Sequence, residues 1–142
     1  MKVEKIIQAK GAEVFAVSPT STIAEAVDLL GEKNIGAVLV KDDQGRAAGI
    51  LSERDVVRLM RSRGGDVMSA QVSECMTPNP YTCDPEATVD ELLNQMTEKR
   101  IRHMPVVNAG SLVGLVSIGD VVKNKIEEAE REAAALKEYI SS

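Results

Sequence analysis

Apolar residues recur at helical spacing in two stretches of the chain, "SPTSTIAEAVDLLGEKN" and "DPEATVDELLNQMTEKR". The apolar face is Ile23, Ala26, Val27 and Leu30 in the first, and Val89, Leu92, Leu93 and Met96 in the second. Such spacing puts the apolar side chains on one side of a helix, so each stretch predicts an amphipathic helix. Both open at a proline turn and a capping box, Thr22-x-x-Glu25 and Thr88-x-x-Glu91, in which a hydroxyl and an acid satisfy orphan N–H groups of the first turn. The period then changes. "IGAVLV" and "HMPVV" are short apolar runs, followed by the turn residues "KDDQG" and "NAGS" and by second runs, "AAGIL" and "LVGLV". These predict two hairpins. A Ser-x-x-Asp follows each hairpin and opens another helix, which in the first half is "ERDVVRLMRSR", stopped by Gly64 and Gly65. With "VFAV" or "YTC" as an opening strand, each half reads β-α-β-β-α.

The two halves are one pattern written twice. Setting Pro19 on Pro85 matches Glu32 with Glu98, Lys33 with Lys99, Ile35 with Ile101 and Val40 with Val106; after a gap of one residue, Gly49, Ser52 and Asp55 fall on Gly114, Ser117 and Asp120. A period of about 65 residues in two copies is a duplication, not a solenoid, and predicts two similar subunits packed face to face. The expected organisation is a first copy with its N-terminal segment over 1–66, a linker over 67–79, a second copy over 80–128 and a helical extension over 129–142. That extension carries Val122, Ile126, Ala129, Ala133, Leu136 and Ile140 at spacings of four and three. Such a seam needs a partner surface: the chain's own N-terminal segment or, since Ala-rich seams suit close helix pairing, a second subunit.

Composition narrows the function. A net charge of −5 and three aromatic residues in 142 give neither electrostatic attraction to phosphate backbones nor stacking platforms, so no nucleic acid and no membrane surface is expected as partner. No apolar run approaches the roughly 20 residues needed to span a bilayer, and the N-terminus shows no signal core, which makes the cytoplasm the expected location. Cys75, Cys83 and the single His103 support neither a zinc site nor a disulfide framework, and no metal is expected. There is no Walker loop and no plausible Ser/His/Asp set, so the chain is read as a non-enzyme.

By the two "G-h-h-S-x-x-D" segments (49 to 55 and 114 to 120), the "CMTPNPYTCDPEATVDE" stretch and "RIRHMPVV", the chain resembles a tandem pair of cystathionine-β-synthase (CBS) domains, a Bateman module, over about residues 3 to 128. The resemblance is nearest to small stand-alone bacterial CBS-pair proteins of the inosine-monophosphate-dehydrogenase-like or signal-transduction type. It implies an α+β fold, two β-α-β-β-α repeats packed sheet to sheet with pseudo-twofold symmetry plus a long C-terminal helix, and a cleft that holds adenine nucleotides such as AMP, ADP, ATP or NAD, or in some relatives S-adenosylmethionine. It further implies two sites that each draw on both copies. The first joins Ser52, Arg54 and Asp55 to Ile101, Arg102, His103, Met104 and Pro105, with Tyr81 near the base; the second joins Ser117 and Asp120 to Ile35, Gly36 and Ala37, with Val14 near the base.

A ligand changes the meaning of Ser-x-x-Asp. A serine cap beside orphan N–H groups and the positive end of a helix suits phosphate, and a carboxylate one turn inside can accept from ribose hydroxyls. Capping and binding are compatible. Gly49 and Gly114 would let a ligand approach the strands. The copies differ where charge matters: Arg102 and His103 stand opposite Gly36 and Ala37, and Arg54 opposite Gly119. The two sites are therefore not equivalent. The expectation is a regulatory module that binds adenine nucleotide without turnover, forms a homodimer through its helices and signals to a regulated partner protein; the competing expectation is a structural interaction module with a vestigial cleft.

Overall fold

Thr22 and Thr88 cap their helices in the same way. Each hydroxyl accepts a hydrogen bond from the backbone N–H three residues on, Glu25 at 3.2 Å and Glu91 at 3.1 Å. The chain, a computed structural model describing residues 1–11 and 14–141, repeats this likeness throughout. It runs α1 (Val3–Lys10), β1 (Ala16–Val17), α2 (Ile23–Lys33), β2 (Ala37–Lys41), β3 (Ala47–Ser52), α3 (Glu53–Arg63), β4 (Thr77–Pro78), α4 (Val89–Lys99), β5 (His103–Asn108), β6 (Ser111–Ser117) and α5 (Ile118–Ser141). The helices α2 and α4 both end on a left-handed residue, Asn34 and Arg100, and both hairpins break register once, after Val40 and after Val106. In each copy the first residue of the hairpin pairs with the serine that caps the next helix, Ala37 with Ser52 and His103 with Ser117.

The first copy's sheet has the order β1-β2-β3-β4, with β1 parallel to β2 and the other pairs antiparallel. In the second copy the sheet proper is the β5-β6 hairpin. Its expected opening strand "YTC" shrinks to one parallel bridge between Cys83 and Val106, held by Cys83 N–H to Pro105 O (3.0 Å) and Val107 N–H to Cys83 O (2.9 Å). A turn follows at once, in which Asp84 accepts from Glu86 and Ala87, so pairing stops at Cys83 on that side.

Two apolar cores result, one per copy. Ile23, Leu30, Val38, Val40 and Leu51 fill the first, and Val89, Leu92, Met96, Met104, Val106 and Val116 the second. Each is completed by a segment from elsewhere in sequence. Residues 64–76 form two 3-10 turns and bury Val67 and Val72 in the first core. Helix α1, which precedes the first copy in sequence, packs on the second, where Val3 and Ile6 are buried. Val3 N–H donates to Ala87 O and Val89 N–H to Met1 O, and Lys2 pairs with Glu86. Between the copies the sheets meet through Ala37, Leu39 and Ile50 of the first and Leu112 and Leu115 of the second.

The duplicated glycines serve this packing. A Cβ at Gly49 would lie 2.6 Å from Met76 Sδ and 2.8 Å from Thr77 O, and one at Gly114 would collide with Ile7. The space expected for a ligand is thus filled by the chain's own segments. Helix α5 buries only Val121; beyond it Val122, Ile126, Leu136 and Ile140 are all exposed.

Candidate functional site at the junction of the copies

The start of α3 is a full capping box. Ser52 Oγ accepts from Asp55 N–H (3.2 Å), and Asp55 Oδ2 accepts from both Ser52 N–H (2.9 Å) and Ser52 Oγ (3.0 Å). Ser-x-x-Asp is therefore a helix cap in its own right. It still leaves chemistry free, because Asp55 Oδ1 has only a loose pairing with Arg58 at 3.7 Å, and the α3 N-terminus opens onto a cleft.

That cleft measures about 760 Å³, within the range of roughly 300–1,000 Å³ that accommodates small ligands. Copy one contributes Gly36, Ile50, Ser52, Glu53, Arg54, Asp55 and Arg58; copy two contributes Tyr81, Arg100, Ile101, Arg102 and His103; the connecting residues 77–80 close one side. Four arginines against two carboxylates give the cleft an excess of positive charge in a chain of net charge −5. Lys99 Nζ lies 4.8 Å from the centre of the Tyr81 ring, a cation–π contact that steadies the ring at the wall. Its counterpart in copy one is Lys33 over Phe15 at 5.2 Å. Burial, followed by the nearby Lys10 charge, holds the His103 imidazole below its ordinary range, with Arg102 adding to this and Asp120 and Asp55 opposing it.

Of the residues expected at the first site, Ser52, Arg54, Asp55, Tyr81, Ile101, Arg102 and His103 come together around this cleft. Met104 and Pro105 do not line it. Met104 is fully buried in the second core, because alternation along β5 turns its side chain away from the wall that His103 faces. Sequence reasoning missed Arg58, Arg100 and the connecting residues 77–80. In "ERDVVRLMRSR" the position one helical turn beyond Arg54 is the signal that separates Arg58 from Arg61. Arg100 is found only by noting that it replaces Asn34 at a left-handed cap.

The expected second site is different. Ser117 and Asp120 repeat the cap, with Ser117 N–H to Asp120 Oδ2 at 2.9 Å and Asp120 N–H to Ser117 Oγ at 3.2 Å. Neither Ser117 nor Asp120 lines the large cleft. Val14 and Ala37 line a recess of only about 50 Å³ with Ile7, Lys10, Gly11, Phe15, Gly114 and Leu115. Gly36 belongs instead to the large cleft, and Ile35 packs on the first core. Lys10 Nζ donates to Asp120 Oδ2 and to Leu115 O, both at 2.8 Å. Burial would raise the Asp120 carboxyl, but the Lys10 bond, the Ser117 N–H and the Lys10 charge outweigh it and hold the group low.

The duplicated cap and the cleft between copies agree with what family comparison finds. The CBS domain model matches residues 8–62 and 72–127. The chain belongs to the CBS-domain family. It is 32% identical to the CBS domain-containing protein YhcV of Bacillus subtilis, over 86% of both chains. It is 37% identical to the mitochondrial CBS domain-containing protein CBSX3 of Arabidopsis thaliana, of whose length it spans 60%. A crystal structure of a CBS-domain containing protein from Agrobacterium tumefaciens superposes with a TM-score of 0.83 at 40% identity, covering 87% of this chain and 92% of that one. Two more distant CBS structures share the fold: one from Pyrobaculum aerophilum complexed with AMP (24% identity, TM-score 0.75), and a CBS domain pair in complex with 5′-methylthioadenosine and S-adenosyl-L-methionine (22%, 0.80). Among the described residues no group of three or more His, Cys, Asp or Glu side chains could hold a metal, and no helix is long and apolar enough to cross a membrane. Burial pushes the Cys83 thiol up to about 11, which keeps it protonated and unreactive at neutral pH.

Proposed function

We propose that the chain is a non-catalytic regulatory module that binds an adenine nucleotide in the cleft between its CBS copies. One observation carries the reading: the capped N-terminus of α3 with Asp55, from one copy, faces Tyr81, Ile101, Arg102 and His103 from the other across about 760 Å³. The parts divide the ligand between them. Asp55 Oδ1 accepts from ribose hydroxyls, the α3 N-terminus and the arginines take phosphate, and the apolar edge of Ile101 with the Tyr81 ring bounds the base. CBS structures bound to AMP and to S-adenosylmethionine support an adenosyl ligand, and the arginines favour AMP, ADP, ATP or NAD over an uncharged nucleoside. A ligand that touches both copies favours one arrangement of them, and this difference is what a partner protein would read. The exposed stripe on α5 supports a homodimer as the state in which the module works.

A melting panel of AMP, ADP, ATP, NAD, NADH and S-adenosylmethionine tests the proposal. A ligand at 100 times its dissociation constant stabilises the native state by about 2.7 kcal/mol. At least one member should therefore raise the melting point by several degrees; shifts within one degree for all of them at millimolar concentration would leave an interaction module with a vestigial cleft. Asp55→Asn separates ligand from cap. The amide oxygen of Asn can still accept from Ser52 N–H in the capping box, whereas loss of a charge-assisted acceptor costs about 1.5–3 kcal/mol, roughly 10- to 150-fold in affinity.

A further inference from the structure

The duplication supplies two copies of the capping-box aspartate, and of the two Asp55 lines the large cleft while Asp120 does not. Around Asp55 there is room for about 760 Å³ of ligand; the recess lined by Lys10, the partner of Asp120, measures about 50 Å³, enough for a water or two. The difference lies in what the preceding segment delivers. In the repeat alignment that sets Pro19 on Pro85, Lys10 falls on Met76. Met76 is uncharged and packs on Gly49, leaving Asp55 with no cation nearer than Arg58 at 3.7 Å. Lys10 carries an ammonium, and that ammonium bonds Asp120 and the Leu115 carbonyl, both at 2.8 Å.

The placement is enforced by the fold. Helix α1 is tied to copy two by the buried Val3 and Ile6, by backbone bonds to Ala87 and Pro85, and by the Lys2–Glu86 pair. One turn before Lys10, Ile7 fills the space beside Gly114. Lys10 therefore reaches Asp120 from an anchored element, and its charge satisfies the carboxylate that a ribose would need. A nucleotide entering here has to break a charge-assisted pair and displace the Lys10 side chain before it gains any contact.

We propose that Lys10 is the specificity-determining residue that closes the second cleft, acting as a built-in occupant of the position a ribose takes, so that each chain binds one nucleotide rather than two. The proposal rests on the nucleotide reading of the first cleft and can fail independently of it.

Calorimetric titration of the full chain with AMP and with ATP tests it. The wild type should bind one molecule per chain, and Lys10→Met should bind two, the second more weakly. Asp120→Asn in the otherwise native chain should still bind one, with affinity within about twofold of wild type, because Asp120 does not touch nucleotide while Lys10 holds it. Two molecules per wild-type chain would overturn the plug and leave the nucleotide function standing. A single molecule on a folded Lys10→Met, or a tenfold loss in Asp120→Asn, would overturn it as well. Binding by Lys10→Met alone, with none to the wild type, would support the plug and refute the first cleft; no binding by either would refute both. Asp120→Asn reports on the proposal even should Lys10→Met fold poorly.

Discussion

Arg100 sits at φ 55°, ψ 43° at the end of α4, a conformation that costs an L side chain about 1–2 kcal/mol. At the same place in copy one stands Asn34, a residue that tolerates it. The arginine lines the cleft, where the proposed phosphate site would give its charge a use. Arg100→Asn should therefore raise stability by about 0.5–1 kcal/mol, a few degrees in melting point for a chain of this size, while weakening ATP binding by roughly three- to tenfold. Thermal melts with and without ATP check both parts; a variant that is more stable and binds as tightly would show that Arg100 is only a cap. His103 makes a second prediction. Its folded value lies below the ordinary 6.5, chiefly through burial. On acidification the unfolded chain takes up the proton first, so the contribution is intact above pH 6.5 and is lost as pH falls from there toward the lowered folded value. Denaturant titrations at several pH values should show stability declining in that window, and His103→Gln should flatten the decline. At this scale the sequence was informative where a residue belonged to a repeated motif, as with Ser52 and Asp55. It was not where the backbone decides: Met104 stands next to His103 in sequence and on the opposite face of β5.

Helices and hairpins were legible because each carries its own signal: a cap, a period and a stop. Short strands and connecting segments were not, since their structure depends on what they pack against. Residues 67–79 read as a linker, yet Val67 and Val72 are fully buried; "YTC" looks like a strand, yet only Cys83 pairs. Nothing in the periodicity of α1 says that it will cross to copy two. The seam on α5 was visible as spacing, and the structure leaves it uncovered by the chain's own residues: Val122 is 44% exposed, Ile126 54%, Leu136 60% and Ile140 74%. An exposed apolar stripe of this length is the surface the proposed homodimer would cover. Truncation after Lys125 keeps Val121 in its core and the Lys125–Asp90 pair (2.8 Å) but removes most of the stripe. The intact chain should scatter light as a dimer and the truncated one as a monomer; a monomeric intact chain would refute the pairing.

Seen whole, the molecule puts a positive cleft inside an acidic body. The net charge of −5 means that a polyanion meets repulsion at long range and attraction only within the cleft, where Arg54, Arg58, Arg100 and Arg102 converge. The two contributions respond differently to salt. The Debye length falls from about 10 Å at 0.1 M to about 3 Å at 1 M, which screens exposed arginine–phosphate attraction strongly. The proposed Asp55 bond to ribose and apolar contact with the base would act at contact distance and be screened little. Raising salt from 0.1 to 1 M should therefore weaken ATP by roughly tenfold, AMP by less and adenosine hardly at all, bringing the three affinities together. Equal salt sensitivity for ATP and adenosine would mean that the triphosphate does not lie among the arginines, and that the cleft's charge serves something other than nucleotide selection.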